Sequence, residues 1–265
     1  MEDQARYYPG SVDSHMHSSL LASKELEERS VLEAATAGRM ERLVDVGVAP
    51  SDLAPRLTRL GAYRILAFTA GLHPTGVSPE TLEHEIGILA ESLSGAMAGR
   101  IVAVGEIGLD FYWSTENTTL QIDALERQCA LAAKHELPVI IHNRDSEEQM
   151  LHILRRLRPQ GVMHCFSQGP EYCAACLDLD MHLSFGGNLT YRRSDEIRRA
   201  AELVPDERLL VETDAPFLSP QAVRGTPNHP GHLAFVIEAL AALRGTSADA
   251  IARLTAANAR RLFRL

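Results

Sequence analysis

Eight short β-rich runs alternate with amphipathic helical stretches along a chain of 265 residues, which predicts an α/β protein whose parallel strands close into a single (β/α)8 TIM barrel. The length agrees, because barrels of about 250 residues commonly form one domain, and no Pro/Ser-rich linker interrupts residues 1–265. Two helical patterns follow the last run, adding an extra C-terminal helix. An open doubly wound sheet is the structural alternative, but no GxGxxG follows the first run and no Walker A loop is present.

In chain order, "SVDSHMH" (11–17) is the first strand, and "LEERSVLEAATAGRM" after it carries apolar residues at helical spacing. The next strands are "RLVDVGV" (42–48), "RILAFTAGLHP" (64–74) and "RIVAVGEIGLDF" (100–111). "LQIDALERQCALAAKHEL" is the helix leading to "PVIIHN" (138–143), and "SEEQMLHILRRLR" leads to "GVMHCF" (161–166). "MHLSFGGN" (181–188), the helical "SDEIRRAAELV" and "RLLVETDAP" (208–216) complete the series. "GHLAFVIEALAALRG" and "SADAIARLTAANARRLF" are the two terminal helices.

Composition narrows the function classes. A hydrophobic content of 45% supports a large core, and no apolar run approaches the roughly 20 residues of a membrane span. "MEDQARYYPG" lacks the charged-then-apolar order of a signal peptide, so a soluble, cytoplasmic protein is expected. Four cysteines, Cys129, Cys165, Cys173 and Cys176, are too sparse for a disulfide framework. Cys173 and Cys176 form a lone C-x-x-C without a second pair, which reads as helix packing. A net charge of −9 argues against coating nucleic acid through the overall field, though not against gripping one or two phosphates locally.

In such a barrel, chemistry collects at the C-terminal ends of the strands. His15 and His17 close the first run, where period-two alternation turns them the same way. Glu106 ends "IVAVGE", His142 ends "PVIIH", His164 sits in "VMHCF" and Asp214 ends "LLVETD". Four histidines and two carboxylates recurring at one level point to a metal centre, because unpaired buried ionisable groups are costly. Six ligands suit two ions sharing a carboxylate, which is hydrolytic machinery. Many binuclear barrel hydrolases use a carbamylated lysine as that bridge. Here Lys24 and Lys134 are the only lysines and both fall in helical patterns, which leaves Glu106.

The series "DSHMH", "GLHP", "VGEIGLDFYW", "LPVIIHNRD", "MHCFSQGPE", "SFGGNLTYR", "LLVETDAPFLSP" and "RGTPNHPGHL" resembles the TatD family of metal-dependent deoxyribonucleases, from about residue 12 to the C-terminus. The ordered set "GEIGLD", "HCFS" and "ETDAP" is the specific part. The resemblance implies a TIM barrel with two divalent ions (Mg, Mn, Zn or Fe) that hydrolyses DNA phosphodiesters, mostly as a 3′ to 5′ exonuclease, with repair-type activity in some members. It implies one metal on His15, His17, Glu106 and Asp214 and the other on Glu106, His142 and His164. In the mechanism expected, Asp214 orients a metal-activated water and accepts its proton. The expected partner is DNA, as single strands or 3′ ends, with no membrane and no obligate protein partner.

Three positions are candidates for substrate binding. His73 in "GLHP" could donate to a phosphate oxygen or stabilise the turn before Pro74. Arg144 in "HNRD" could clamp a phosphate or pair with Asp145. Arg224 lies in "VRGTPNHPGH", a loop expected to cover one side of the pocket. Glu212 shares strand parity with Asp214 and is expected to hydrogen-bond a ligand or bound water. The sequence departs from the family where "PNHP" puts His229 in place of a glutamate, and where Trp113 follows "GLDFY" and could stack on a base or pack on the rim. The alternatives are a small-molecule amidohydrolase-type enzyme, a D-aminoacyl-tRNA deacylase, and a non-catalytic barrel that keeps metal for stability.

Overall fold

Strands pair in the order of the sequence. A computed structural model describes residues 5–113 and 115–265. It shows β1 (Val12–Met16), β2 (Arg42–Asp45), β3 (Leu66–Ala70), β4 (Ile101–Asp110), β5 (Val139–Arg144), β6 (Gly161–Met163), β7 (His182–Phe185) and β8 (Leu209–Val211) as one parallel sheet. The seam between β8 and β1 closes at the carboxyl ends of the two strands. There the Asp214 amide donates to the His15 carbonyl at 2.9 Å and the His17 amide to the Ala215 carbonyl at 2.8 Å. Lower down, the Ser14 hydroxyl donates to the Val211 carbonyl at 2.9 Å. The expected barrel is observed, with its last stitches beside the candidate site.

Around the strands lie α1 (Glu28–Ala37), α2 (Leu53–Leu60), α3 (Leu82–Ser94), α4 (Thr118–Lys134), α5 (Glu147–Leu157), α6 (Pro170–Leu177), α7 (Asp195–Leu203) and α8 (Leu233–Leu243). The extra helix is α9 (Ala248–Phe263). Sequence periodicity does not single out α2 and α3, because α2 has only eight residues with Pro55 in its first turn, and α3 lies between turn-rich flanks. Cys173 and Cys176 are fully buried on α6, and all four cysteines are unpaired thiols. No helix among the described residues is long and apolar enough to cross a membrane.

The two faces of the sheet separate by strict alternation in several strands. Val139 and Ile141 pack outward against the helices while Ile140 points inward; Leu209 and Val211 likewise flank inward Leu210. The inward set includes Val12, Val44, Ala103 and Val162, and α9 seals it with Ala256, Ala259, Leu262 and Phe263. Fully burying each Val, Leu or Phe of this set contributes roughly 1.5–3 kcal/mol. This plug lies below the polar rim, so the rim groups rest on an apolar floor.

Candidate metal centre

Alternation carries His142 and His164 into the mouth directly, as they follow inward Ile140 and Val162 by two residues. Glu212 continues from inward Leu210 in the same way. The other donors arrive by broken registers. Starting from inward Ala103, regular alternation would send Glu106 outward, but the β4–β5 register shifts between Val104 and Ile107. The β1–β2 register also shifts, between Asp13 and Met16. Ser14 meets the interior hydroxyl of Ser184 at 2.9 Å, and His15 beside it also faces inward. Such irregularities commonly re-aim side chains next to active sites.

The result is a compact set of donors around Glu106. Its Oε1 lies 2.7 Å from His164 Nε2 and 2.8 Å from His142 Nδ1. Its Oε2 lies 3.5 Å from His15 Nε2 and 3.6 Å from His17 Nε2. Asp214 Oδ1 is 3.4 Å from His17 Nε2 and 3.7 Å from His15 Nε2. His15 and His164 stack with ring centroids 4.0 Å apart. All six residues predicted as ligands therefore converge at the rim. Asp214 has a φ of +57°, a left-handed conformation that Asp tolerates better than most side chains.

Hydrogen bonds on the far side of the rings set which nitrogen faces inward. His17 Nδ1–H donates to the Val46 carbonyl at 2.9 Å, so the neutral ring presents the Nε2 lone pair to the centre. His142 Nε2 is 3.1 Å from Asp110 Oδ2, and His164 Nδ1 is 3.2 Å from Glu212 Oε1. A carboxylate on the outer nitrogen both fixes the tautomer and raises ligand basicity. Glu212 thus meets the expectation made for it. Asp110 is a contributor that sequence reasoning missed; its signal was its place at the end of "GEIGLD", the last residue of β4.

Charge is tightly coupled here. Burial pushes the Glu106 carboxyl up, yet the facing His164 and His73 rings and hydrogen bonds from His142 and His15 hold it well below the ordinary range. Burial pulls His164 down, but Glu106 and Glu212 outweigh it and raise the ring well above its usual value. His142 and His17 are raised by their carboxylate partners against the same burial, while burial lowers His15. Three overlapping triads, His15–His17–Glu106, His15–His164–Asp214 and His73–Glu106–His142, each have ligand atoms within 4.8 Å of one another. Imidazole nitrogens and carboxylate oxygens held this closely fit Zn, Mn, Fe or Mg.

Buried polar groups brace the rim. Arg56, fully buried, donates to Asp45 Oδ2 at 3.1 Å, to Asp52 Oδ1 at 2.7 Å and to the Thr69 carbonyl at 2.6 Å, tying together the ends of β2 and β3. Asp13 accepts from the Thr213 hydroxyl at 2.6 Å and its amide at 2.9 Å, beneath His15 and Asp214. Burial pushes the Asp13 carboxyl up to about 7. Gly108, with φ +153°, lets β4 pass where a Cβ would sit 1.9 Å from the His142 carbonyl.

A cavity of about 530 Å³ opens on the centre, with Leu20, Val48, Leu72 and Phe217 forming an apolar wall. His73 lines it, with its Nε2 3.5 Å from Glu106 Oε1 and its Nδ1 2.7 Å from the Thr75 hydroxyl, so it both faces the site and secures its turn. Arg144 is stacked 3.7 Å over the Tyr112 ring, and no ion pair to Asp145 is present among the described residues. Arg224 stacks 4.5 Å over Tyr191 and does not line the cavity. His229 is turned into its own loop, 3.8 Å from His232 ring to ring, and accepts from the Gly231 amide. The cavity wall on that side is Phe217, so the expected cover by "VRGTPNHPGH" is replaced by the segment just after β8.

A parallel barrel with imidazole and carboxylate donors gathered at its C-terminal rim defines a metal-dependent hydrolase. Residues 12–264 match the family described as TatD related DNase, and the chain belongs to that family. It is 34% identical over 257 residues to the uncharacterized metal-dependent hydrolase YabD of Bacillus subtilis, covering 96% of this chain and 98% of the relative. It is 37% identical over 211 residues to the 3′-5′ ssDNA/RNA exonuclease TatD of Erwinia billingiae, covering 74% and 77%. The crystal structure of YJJV, a TatD homolog from Escherichia coli, superposes with a TM-score of 0.86 at 28% identity, covering 99% of this chain and 100% of that one.

Proposed function

We propose that this chain is a nuclease that trims single-stranded DNA from its 3′ end, with a role in DNA repair in the cytoplasm. The observation that carries the reading is the convergence of His15, His17, Glu106, His142, His164 and Asp214 on one rim. The exonuclease named in Erwinia billingiae supports the substrate class. Four unpaired thiols support a reducing compartment.

Two divalent ions bound there would supply an activated water and neutralise charge on the scissile phosphate. Glu106, within reach of five imidazoles, sits in the middle of the donor set and would hold metal there. His17, His142 and His164 turn fixed nitrogens inward through Val46, Asp110 and Glu212. Asp214 orients the attacking water and takes its proton, since burial pushes its carboxyl up but the His17 and His15 rings keep it ionised. His73 Nε2 faces the cavity and donates to a phosphate oxygen.

Purified protein with Mg²⁺ or Mn²⁺ should shorten a 5′-labelled single strand into a stepwise ladder. Inactivity at verified metal occupancy refutes the nuclease reading. The apolar wall of the cavity favours a second reading, a small-molecule ester or lactone hydrolase on the same centre. A panel of single-stranded DNA, duplex DNA, RNA, aryl esters and lactones separates the two.

A further inference from the structure

The described residues expose five large hydrophobic side chains: Tyr112, Trp113, Leu203, Phe217 and Leu218. Leu203 ends α7, whereas the other four lie just past β4 and β8, on the mouth side of the barrel. Solvent-facing aromatics are costly to leave bare, and their restriction to the mouth marks a ligand surface. Trp113 is the most exposed at 70%.

The β4 side of this surface is tied to the metal centre. The Tyr112 amide donates to Asp110 Oδ1 at 3.1 Å, and Asp110 Oδ2 meets His142 at 3.1 Å. Arg144, two residues beyond His142 on the same strand, lays its guanidinium 3.7 Å over the Tyr112 ring and 5.7 Å from the Trp113 ring. Trp113 stands edge-on to Tyr112 at 89°. No side-chain hydrogen bond or ion pair from a described residue engages the Arg144 guanidinium N–H edges, while one face is held by Tyr112. A fixed cation beside an open indole is the pairing that holds a phosphate and its neighbouring unpaired base.

We propose that Arg144, Tyr112 and Trp113 form a strand-holding subsite for single-stranded nucleic acid, with Arg144 on a backbone phosphate and an unpaired base stacked on Trp113. The proposal rests on the nuclease reading above and names how the strand is gripped outside the cavity. Bases inside a duplex are stacked on both faces, so a paired strand offers an open base face only at its very end, and this subsite would favour single strands. It also offsets locally the net charge of −9.

Trp113 is the only tryptophan in the sequence, so intrinsic indole fluorescence reports on this ring alone. Metal-stripped protein in EDTA is titrated with oligothymidylate and with an abasic oligomer of equal length, and binding is followed in parallel by anisotropy of labelled strands. The expected result is saturable quenching by oligothymidylate and none by the abasic strand. R144A should weaken oligothymidylate binding about tenfold. In metal-loaded protein, W113A should raise KM for single-strand trimming about tenfold with kcat held; at this exposed position the melting temperature should not move.

Equal quenching by both oligomers, or tight binding with no quenching, overturns the subsite. So does a W113A KM equal to that of the parent. Trimming of single strands without selective quenching rejects the subsite and keeps the nuclease reading. Selective quenching without hydrolysis at full metal occupancy keeps the subsite and rejects the nuclease reading.

Discussion

Replacing Asp110 tests whether the outer hydrogen bonds organise the centre. Asp110 is the sole acceptor on the outer nitrogen of His142 among the described residues, at 3.1 Å. In D110A that ring loses the partner fixing its tautomer, and losses of this kind weaken metal affinity about 10- to 100-fold, or about 1.4–2.7 kcal/mol. Asp110 also accepts from the Tyr112 amide, but Tyr112 is 54% exposed and its N–H can turn to water. The accompanying stability loss should stay near 1 kcal/mol, a drop of roughly 2–4 °C in Tm for a chain of this size. D110N keeps an acceptor oxygen in place and should lose less than tenfold. Calorimetric titration of metal-stripped protein with Mn²⁺ or Zn²⁺ reads the affinities, and differential scanning calorimetry reads the stability. Wild-type affinity in D110A, at an unchanged number of sites, would falsify the role assigned to this carboxylate.

Three further outcomes are expected. E106Q should lose turnover to background and bind metal poorly, and the His164 ring, relieved of its chief raising partner, should titrate far lower by NMR; a His164 titration unchanged in E106Q contradicts the hub geometry. Because His17, His142 and His164 hold protons above their ordinary value of 6.5, metal must displace them. Affinity should therefore climb as pH rises past 6.5, with proton release near pH 7 seen as a buffer-dependent binding enthalpy; buffer-independent enthalpy goes against this. Asp13, raised from 3.8 to about 7, is favoured protonated in the fold, so its contribution to stability is full below pH 3.8 and is lost as pH climbs toward 7. D13N should flatten that part of the stability profile, whereas D13A, which strands the Thr213 hydroxyl and amide, should cost about 1–3 kcal/mol in denaturant melts; equal stability of the two variants speaks against the buried pair.

Much of the molecule is legible in its residue order. Alternating runs fix the barrel, because each strand and helix buries its own stripe and consecutive units pack side by side. Strand ends carrying "HMH", "GE", "IIH", "MH" and "ETD" identify the ligand candidates, since such groups recur at one level only where they meet. Period-two alternation even assigns His142, His164 and Glu212 their direction.

Other features depend on contacts between distant segments. Strict alternation would turn Glu106 away from the mouth, and only the shifted pairing of β4 against β5 brings it in. Asp110 gains its role because β5 delivers His142 beside it, and Arg144 meets Tyr112 rather than the adjacent Asp145. Arg224 and His229, plausible in sequence, are drawn to Tyr191 and His232, and Phe217 takes the cavity wall. Local pattern decides which face of an element is apolar; register, seam closure and loop packing decide which polar groups touch, and those are set by partners far away in the chain.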